Sequence, residues 1–377
     1  LVVFITEEML GLYHAPTRNT LERCAACKKI LGKEVLLVNT AEAANCVGYM
    51  PFYHSKICYY NEELKDLTGL EYGGVQIAYM QCEQNMPRAD ILELLLLEIR
   101  RLRPCCIITM GGNSILANLA NLMVPVLSIG LGFSELEATE VKYQALGRPL
   151  RQEDIELLEQ CGKPLAHVIS TRFTFDLKPQ TKKLARNELG IPEDKFVSIV
   201  VGMRLRNEVT DKFAEMLESA ISEEDLILFA GEFPTYEAFM HRHPKLGSHA
   251  QFIGFQEEML AVLECCDLFI NPDRKGGGTS AVEAMVKGVP VVTTSYGDVA
   301  CDAGEEFVCQ DYQEMVLEIT RYRDDKEYYK KKSRMAMDKA KILLDSETAF
   351  FELIKEYEKR EQDTQDTEVS ENKILEQ

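Results

Sequence analysis

Residues 268–293 read LFINPDRKGGGTSAVEAMVKGVPVVT, and this stretch decides the fold of the chain. It begins with a short apolar run, residues 268–270, and ends with a second one, residues 289–293; both runs are typical of buried strands. Three consecutive glycines, residues 276–278, lie between them, and a segment of good helix formers, residues 281–287, follows these glycines. The stretch therefore predicts strand, glycine loop, helix and strand, as in a parallel, doubly wound α/β domain.

The glycine loop has the composition of an anion-binding turn. A helix N-terminus presents backbone N–H groups that have no partner within the helix, and its dipole favours negative charge. Gly276, Gly277 and Gly278 let that backbone approach a ligand closely. Thr279 or Ser280 is placed to cap the helix and to donate a hydroxyl to the same ligand.

Charged residues flank the glycines on both sides. Arg274 and Lys275 precede them, and we expect both cations at the mouth of the loop. Glu283 falls one turn into the helix, where it can accept hydrogen bonds from a sugar hydroxyl. Its other interpretation is an acid that complements the helix dipole. Together these residues predict a site for a diphosphate joined to a sugar.

The composition indicates a globular protein of two domains. With 377 residues, 46% of them apolar, the chain is long enough for two ordinary cores. No apolar run approaches the roughly 20 residues that cross a bilayer, and residues 1–6 read as a strand rather than a signal peptide. The twelve cysteines lie mainly in apolar positions, so we expect reduced thiols and a cytoplasmic setting. Cys24 and Cys27 have no second pair at zinc-site spacing, and we expect no metal.

The charge balance excludes two kinds of partner. The formal net charge of −19 repels nucleic acid and anionic lipid head groups. Against this background, four cations in two glycine-containing loops stand out, namely Arg204, Arg206, Arg274 and Lys275. Such a cluster favours the binding of an anion.

Strands and helices alternate in two passes along the chain. The pattern predicts two doubly wound α/β domains that face a shared cleft, residues 1–175 and 176–345. We also expect a C-terminal helix at 346–360 that packs back on the first domain, and an acidic, disordered tail at 361–377. The predicted strands are 1–5, 34–38, 75–80, 105–109, 124–129, 166–170, 196–201, 226–230, 251–254, 268–270 and 289–293. The predicted helices are 17–31, 89–103, 114–122, 208–221, 234–243, 256–264 and 279–287.

Three segments of the second domain carry a resemblance to a known family. Residues 202–205 read GMRL, residues 252–255 read FIGF, and residues 276–292 combine the glycine loop, Glu283 and the return strand. On these segments the chain resembles the GT-B glycosyltransferases across nearly its whole length. The resemblance implies that GMRL contacts the donor diphosphate, that FIGF borders the nucleotide base, and that Glu283 binds the donor ribose.

The first domain adds a second resemblance. Residues 14–17, HAPT, follow the opening strand and are similar to the His-Pro-Thr loop of protein O-GlcNAc transferases and of bacterial adhesin-glycosylating enzymes. This implies that His14 acts on the acceptor side, either by taking the acceptor proton or by fixing the loop. Thr17 belongs to the same loop, and Gly112 and Asn113 open another helix that should face the cleft.

One position departs from the family pattern. Retaining members such as the sucrose- and glycogen-synthase type carry two Glu residues separated by seven. Glu283 fills the second position, but Lys275 fills the first. A Lys cannot replace that Glu, but it can neutralise the charge that develops on the leaving diphosphate. The departure therefore favours an inverting reaction.

The resemblance implies transfer of a sugar from a nucleoside diphosphate sugar, a UDP-hexose or UDP-N-acetylhexosamine, to a hydroxyl or amide of a glycan, protein or lipid-linked acceptor. Two alternatives stay open: a nucleotide-sugar epimerase of the same fold, and an inactive acceptor-binding partner of a glycosyltransferase complex. No cofactor or metal is expected, and the sequence leaves homo-oligomerisation open. The predicted catalytic residues are His14 and Lys275. The predicted donor-binding residues are Gly202, Arg204, Gly254, Phe255, Gly276, Gly277, Gly278, Thr279, Ser280 and Glu283, and the predicted acceptor-side residues are Thr17, Gly112 and Asn113.

Overall fold

The protein consists of two compact units. In the computed structural model, the first unit comprises Leu1–Asp176 together with Asp345–Gln377, and the second comprises Leu177–Leu344. The residues that the structure describes are 1–12, 14–42, 60–83, 87–111, 114–131, 136 and 139–375, with side chains described as far as residue 364. Within these residues, no helix is both long and apolar enough to cross a membrane.

The first unit is built on an eight-stranded sheet in the order β3-β4-β2-β1-β5-β6-β7-β8. All neighbouring strands are parallel except β3, which forms an antiparallel hairpin with β4. Its strands are β1 Val2–Thr6, β2 Val35–Asn39, β3 Gly69–Tyr72, β4 Val75–Gln81, β5 Cys106–Met110, β6 Val126–Ile129, β7 Tyr143–Leu146 and β8 Val168–Ser170. Its first helices are α1 Ala15–Leu31, α2 Ala89–Leu102, α3 Ile115–Ala120 and α4 Gln152–Gln160.

Both faces of this sheet are covered, as expected for parallel strands. One face packs against α1 and the C-terminal helix, and the other packs against α2 and α3. The central strand β1, VVFIT, is buried along its whole length. Pro16 stands in the first turn of α1, where its fixed φ suits a helix start.

The C-terminal helix, α14 Ser346–Leu375, belongs to the first unit. Phe350 stacks on Phe4 with ring centroids 6.4 Å apart, and Tyr357 meets Tyr143 edge-on at 5.3 Å. The helix continues through the segment that composition predicts to be disordered, residues 361–375. Two contacts hold the start of that segment to the sheet, Lys142 to Glu361 at 3.2 Å and the Tyr143 hydroxyl to Thr364 at 3.2 Å. The segment contains no Gly or Pro to end the helix.

The second unit is built on a six-stranded parallel sheet in the order β11-β10-β9-β12-β13-β14. Its strands are β9 Phe196–Gly202, β10 Asp225–Gly231, β11 Ala250–Gly254, β12 Leu268–Ile270, β13 Val291–Thr294 and β14 Val308–Cys309. Its helices are α5 Leu205–Glu208, α6 Asp211–Ala220, α7 Tyr236–Arg242, α8 Pro244–Gly247, α9 Met259–Leu263, α10 Gly278–Val286, α11 Gly297–Ala303, α12 Tyr312–Asp324 and α13 Lys326–Leu343. Short 3-10 turns lie at Glu62–Leu64, Leu165–His167, Arg186–Leu189 and Glu305–Phe307.

The predicted doubly wound fold is confirmed in each unit. Each predicted strand and helix is present within a few residues; the helix predicted at 208–221 is α6, and the short α5 precedes it. The sequence missed strands β3, β7 and β14, which have four, four and two residues, and helices α4, α8 and α11. A cleft shared by the two units remains a prediction from the sequence.

Candidate functional site

The strand order of the second sheet reverses between β9 and β12. From β9 the chain proceeds outward to β10 and β11, and from β12 it proceeds the other way to β13 and β14. Because β9 and β12 are parallel neighbours, the loops that follow them leave the sheet at the same edge. Ligands of doubly wound sheets bind at this kind of switch point. Gly202 ends β9, and the two loops contain the predicted residue Arg204 and the glycine turn 276–278.

The first turn of α10 has no side-chain cap. The helix begins at Gly278, and the cap position belongs to Gly277, whose φ of +107° is in the left-handed region that glycine favours. The prediction that Thr279 or Ser280 caps the helix is therefore wrong, because the helix starts earlier and both residues lie inside its first turn.

Arg274 lies beneath the turn rather than at its mouth, which corrects the sequence prediction. The residue is 6% exposed, and its Nε donates to Asn271 Oδ1 at 2.7 Å. Its Nη1 donates to a carboxylate oxygen of Glu208 at 2.8 Å. Burial lowers the pKa of this guanidinium from its ordinary value, with the nearby Glu208 opposing that shift. The result is a buried cation held in one orientation between the two loops.

Two glycines make room for that guanidinium. A Cβ added to Gly277 would lie 2.6 Å from Arg274 Nη2, and one added to Gly202 would lie 2.6 Å from Nη1. Contacts that short would force the side chain to move. The buried arginine therefore requires glycine at these two positions.

Glu208 joins the buried arginine to an exposed one. Its Oε1 accepts from Arg204 Nε at 3.1 Å, and its Oε2 accepts from Arg274 Nη1. The Glu208 side chain is mostly buried, whereas that of Arg204 is 69% exposed. The sequence did not identify Glu208, although its spacing of four residues from Arg204 on a helical turn could have indicated the pair.

Lys275 and Glu283 lie on either side of the glycine turn. Lys275 is exposed, and its carbonyl oxygen accepts from the Asp298 amide at 2.7 Å, which ties the turn to the start of α11. Glu283 is half-buried on α10, in the second turn of the helix. The structure thus brings Lys275, the glycine turn and Glu283 onto one continuous segment at the edge of the sheet.

Two exposed aromatic rings lie at the edge strand β11, Phe252 within the strand and Phe255 directly after it. Phe255 is 60% exposed directly after Gly254, and Phe252 is 37% exposed. Phe252 stacks on Tyr236 with centroids 5.3 Å apart and an interplanar angle of 25°. Exposed rings of this kind offer an apolar face to a planar ligand ring. Tyr236 was missed by the sequence, because its stacking partner is 16 positions away in the chain.

His14 and Thr17 lie together in the first unit. His14 precedes α1, and its Nδ1 lies 3.2 Å from the Thr17 hydroxyl, which itself accepts from the Leu10 amide at 3.0 Å. Its Nε2 lies 3.9 Å from a carboxylate oxygen of Glu8. Burial, reinforced by the charge of Arg18, lowers the pKa of His14 to about 4. The imidazole is therefore neutral at physiological pH.

The predicted acceptor-side residues Gly112 and Asn113 lie outside the described residues. The helix that follows them, α3, is described, and its first amides already have an acceptor. Glu42 accepts from Ile115 N at 2.6 Å and from Leu116 N at 3.1 Å. An internal carboxylate therefore occupies the N-terminus of α3.

No metal centre is visible in the described part of the chain. Within those residues, no group of three or more His, Cys, Asp or Glu side chains is arranged to hold a metal ion. The absence of a metal requirement remains a prediction.

Part of the chain resembles known glycosyltransferases in sequence. Residues 195–325 match the family described as glycosyl transferases group 1. A putative teichuronic acid biosynthesis glycosyltransferase, TuaC from Bacillus subtilis (strain 168), is 25% identical over 156 residues. That alignment covers 40% of this chain and 39% of TuaC, so it spans less than half of the relative.

Solved structures share the fold over nearly the whole chain. HepE from Anabaena, solved in complex with UDP and glucose, has a TM-score of 0.64 at 14% identity, covering 95% of this chain and 100% of HepE. A mutant O-GlcNAc transferase from Thermobaculum terrenum has a TM-score of 0.65 at 17% identity, covering 97% of this chain and 68% of that one. At these identities the likeness shows the fold alone. Residues 195–325 thus resemble the group 1 glycosyl transferases, and the two α/β units of the chain have the GT-B fold.

Proposed function

We propose that this chain transfers a sugar from a nucleoside diphosphate sugar, a UDP-hexose or UDP-N-acetylhexosamine, to an acceptor hydroxyl or amide. The observation that carries the proposal is the uncapped N-terminus of α10 at the switch point of the second sheet. The first amides of this helix can donate to a diphosphate, and Lys275 and Arg204 add positive charge nearby.

The chemistry of sugar transfer fits such a site. The transition state is oxocarbenium-like, and negative charge grows on the departing diphosphate. Preorganised donors at that position contribute on the order of 2.7–4 kcal/mol each to lowering the barrier. In this proposal the amides of Gly277 to Ser280 and the ammonium group of Lys275 have that role. The same cations would make a metal ion unnecessary.

The other donor groups follow from their positions. Glu283 accepts hydrogen bonds from the ribose, and the exposed ring of Phe255 borders the base after Gly254. The binding of UDP by HepE, a protein of the same fold, supports uridine as the base. Ten cysteines among the described residues are free thiols, which supports a reducing, cytoplasmic compartment.

His14 has two roles in view, proton acceptor and loop-fixing residue. The positions of its ring nitrogens, with Nδ1 beside Thr17 and Nε2 facing Glu8, support the loop-fixing role. A group with a pKa near 4 is also a weak base at neutral pH. We infer that His14 fixes the turn before α1 and that a His14→Gln variant keeps most of the activity.

The proposal is tested by incubating the protein with UDP-glucose, UDP-galactose and UDP-N-acetylglucosamine and measuring UDP release. We expect slow, donor-specific release to water even without an acceptor, and weaker donor binding by Glu283→Gln. An epimerised sugar without UDP release would point to an epimerase. The absence of both donor binding and turnover with every nucleotide sugar tested would contradict the proposal and would favour a binding subunit.

A further inference from the structure

We propose that Arg274 is a positioning residue for the donor diphosphate, a buried positive charge that acts through the glycine turn above it. The inference rests on the proposed function and adds a role for a side chain that does not face solvent. Three observations carry it: an unsatisfied donor atom, the place of that atom beneath the turn, and an incomplete charge balance.

The first observation is an unsatisfied hydrogen-bond donor. Arg274 donates through Nε to Asn271 and through Nη1 to Glu208, but its buried Nη2 has no hydrogen-bond partner within the described residues. Leaving a buried charged donor without an acceptor is costly, and native proteins rarely do so without a reason. A packing role alone would not require a guanidinium here, because an apolar side chain would fill the space without that cost.

The second observation is where this atom lies. Nη2 is the atom closest to a Cβ built on Gly277, the residue that precedes the first amide of α10. The guanidinium therefore lies directly below the point where the helix N-terminus begins. In the low dielectric of a protein interior, a positive charge at this position attracts an anion bound above the turn strongly. It adds to the field of the helix dipole at the same place.

The third observation is the charge balance. One carboxylate, Glu208, is shared by two arginines, Arg274 below and Arg204 at the surface. The trio therefore carries a net positive charge, and a diphosphate would supply the missing negative charge. Arg204 is exposed and can turn from Glu208 towards a phosphate, while the buried arginine retains Glu208.

The test compares the affinities of UDP, UMP and uridine by isothermal titration calorimetry. The variants are Arg274→Met and Arg274→Lys, with Arg242→Met as a control that removes an ion-paired surface arginine from the same unit. We expect Arg274→Met to weaken UDP binding about tenfold or more, UMP binding less, and uridine binding hardly at all. Arg274→Lys should retain part of the preference for UDP, and Arg242→Met should bind all three like the wild type.

The decisive quantity is the ratio of UDP to uridine affinity, which a purely structural role would leave unchanged. An equal loss for all three ligands in folded Arg274→Met, or no loss for any, would overturn the inference. If Arg274→Met does not fold, the same affinity ratio is measured for Glu208→Gln. This variant removes the countercharge of Arg274 and should keep or raise the preference for UDP. A lowered preference in Glu208→Gln would overturn the inference. A wild-type protein that binds none of the three ligands would instead overturn the proposed function.

Discussion

The N-termini of α3 and α10 occupy similar places in their sheets, but the buried side chains next to them carry opposite charges. Each helix follows a parallel strand through a turn that contains glycine, at the carboxyl edge of its sheet. At α3, Ser114 caps the helix through Ala117 N at 3.1 Å, and the buried Glu42 accepts from the first two amides. At α10, the cap residue is Gly277, which has no side chain to cap the helix, and a buried arginine lies next to it.

The contrast distinguishes a helix N-terminus that binds a carboxylate of the same chain from one that we expect to bind a ligand anion. A helix N-terminus attracts negative charge in both cases. In the first unit the chain supplies that charge itself, although burial raises the pKa of Glu42 and so opposes its ionisation. In the second unit the chain supplies positive charge instead. We therefore expect only the N-terminus of α10 to take its anion from a ligand.

The largest expected effect concerns catalysis at the glycine turn 276–278, which precedes α10 and is called the open turn below. Lys275→Ala should lower turnover by the contribution of one preorganised donor, about 2.7–4 kcal/mol or roughly 10²–10³-fold, with a smaller change in donor affinity. Steady-state kinetics of UDP release measure this change. Lys330→Ala, which removes an exposed lysine on α13, is the matched control. Unchanged turnover in Lys275→Ala would remove this lysine from the mechanism.

The N-terminus of α3, called the filled turn below, can be tested by removing the carboxylate of Glu42. Glu42→Ala leaves Ile115 N and Leu116 N without their acceptor and should reduce the free energy of unfolding by about 2–3 kcal/mol. Glu42→Gln keeps one acceptor oxygen and should lose less. Urea denaturation of the wild type and both variants gives the comparison. A Glu42→Ala protein as stable as the wild type would show that the carboxylate does not stabilise α3.

A carboxylate introduced in the first turn of α10 would make the open turn resemble the filled turn of α3. Thr279→Asp places a resident carboxylate in the first turn of α10 and should weaken UDP binding about tenfold or more, because the anion is then already present. The same change should slightly stabilise the protein, by about 0.3–1 kcal/mol. Calorimetry and thermal denaturation measure the two effects, and Thr279→Asn controls for shape without charge. Undiminished UDP affinity in Thr279→Asp would mean that the diphosphate binds elsewhere.

The smallest expected effect concerns pH at the start of α1. The folded state holds the pKa of His14 at about 4, below its ordinary value of 6.5, so between these values the unfolded chain binds the extra proton. His14 therefore makes the protein less stable as pH falls from 6.5 towards 4, and has no further effect below that range. His14→Gln should show a smaller fall in melting temperature between pH 7 and pH 5 than the wild type. An equal fall in both proteins would contradict this assignment.

Local pattern was sufficient for the fold but not for the contents of the site. Strand β12 was predicted to the residue, because its continuous apolar run is bounded by a turn signal. Strand β7 was missed, because YQAL is short and contains a polar residue that only the folded sheet buries. The continuation of α14 was also missed, because its anchors at Lys142 and Tyr143 are more than 200 positions away in the chain.

The same limit explains the errors at the site itself. From the sequence, Arg274 and Lys275 have the same predicted position at the mouth of the loop. In the structure, Arg274 is buried beneath the turn, where it pairs with Glu208, 66 positions away. Likewise, nothing near Ile115 indicates that Glu42, 73 positions away, fills the N-terminus of α3. Partners that are distant in sequence decide which turn is open, and a single sequence does not display them.

A crystal structure of the protein soaked with UDP tests the central claim most directly. We expect the diphosphate within about 2.7–3.1 Å of the first amides of α10, above the guanidinium of Arg274. A nucleotide bound elsewhere, or an α10 turn that stays empty at saturating UDP, would contradict the account.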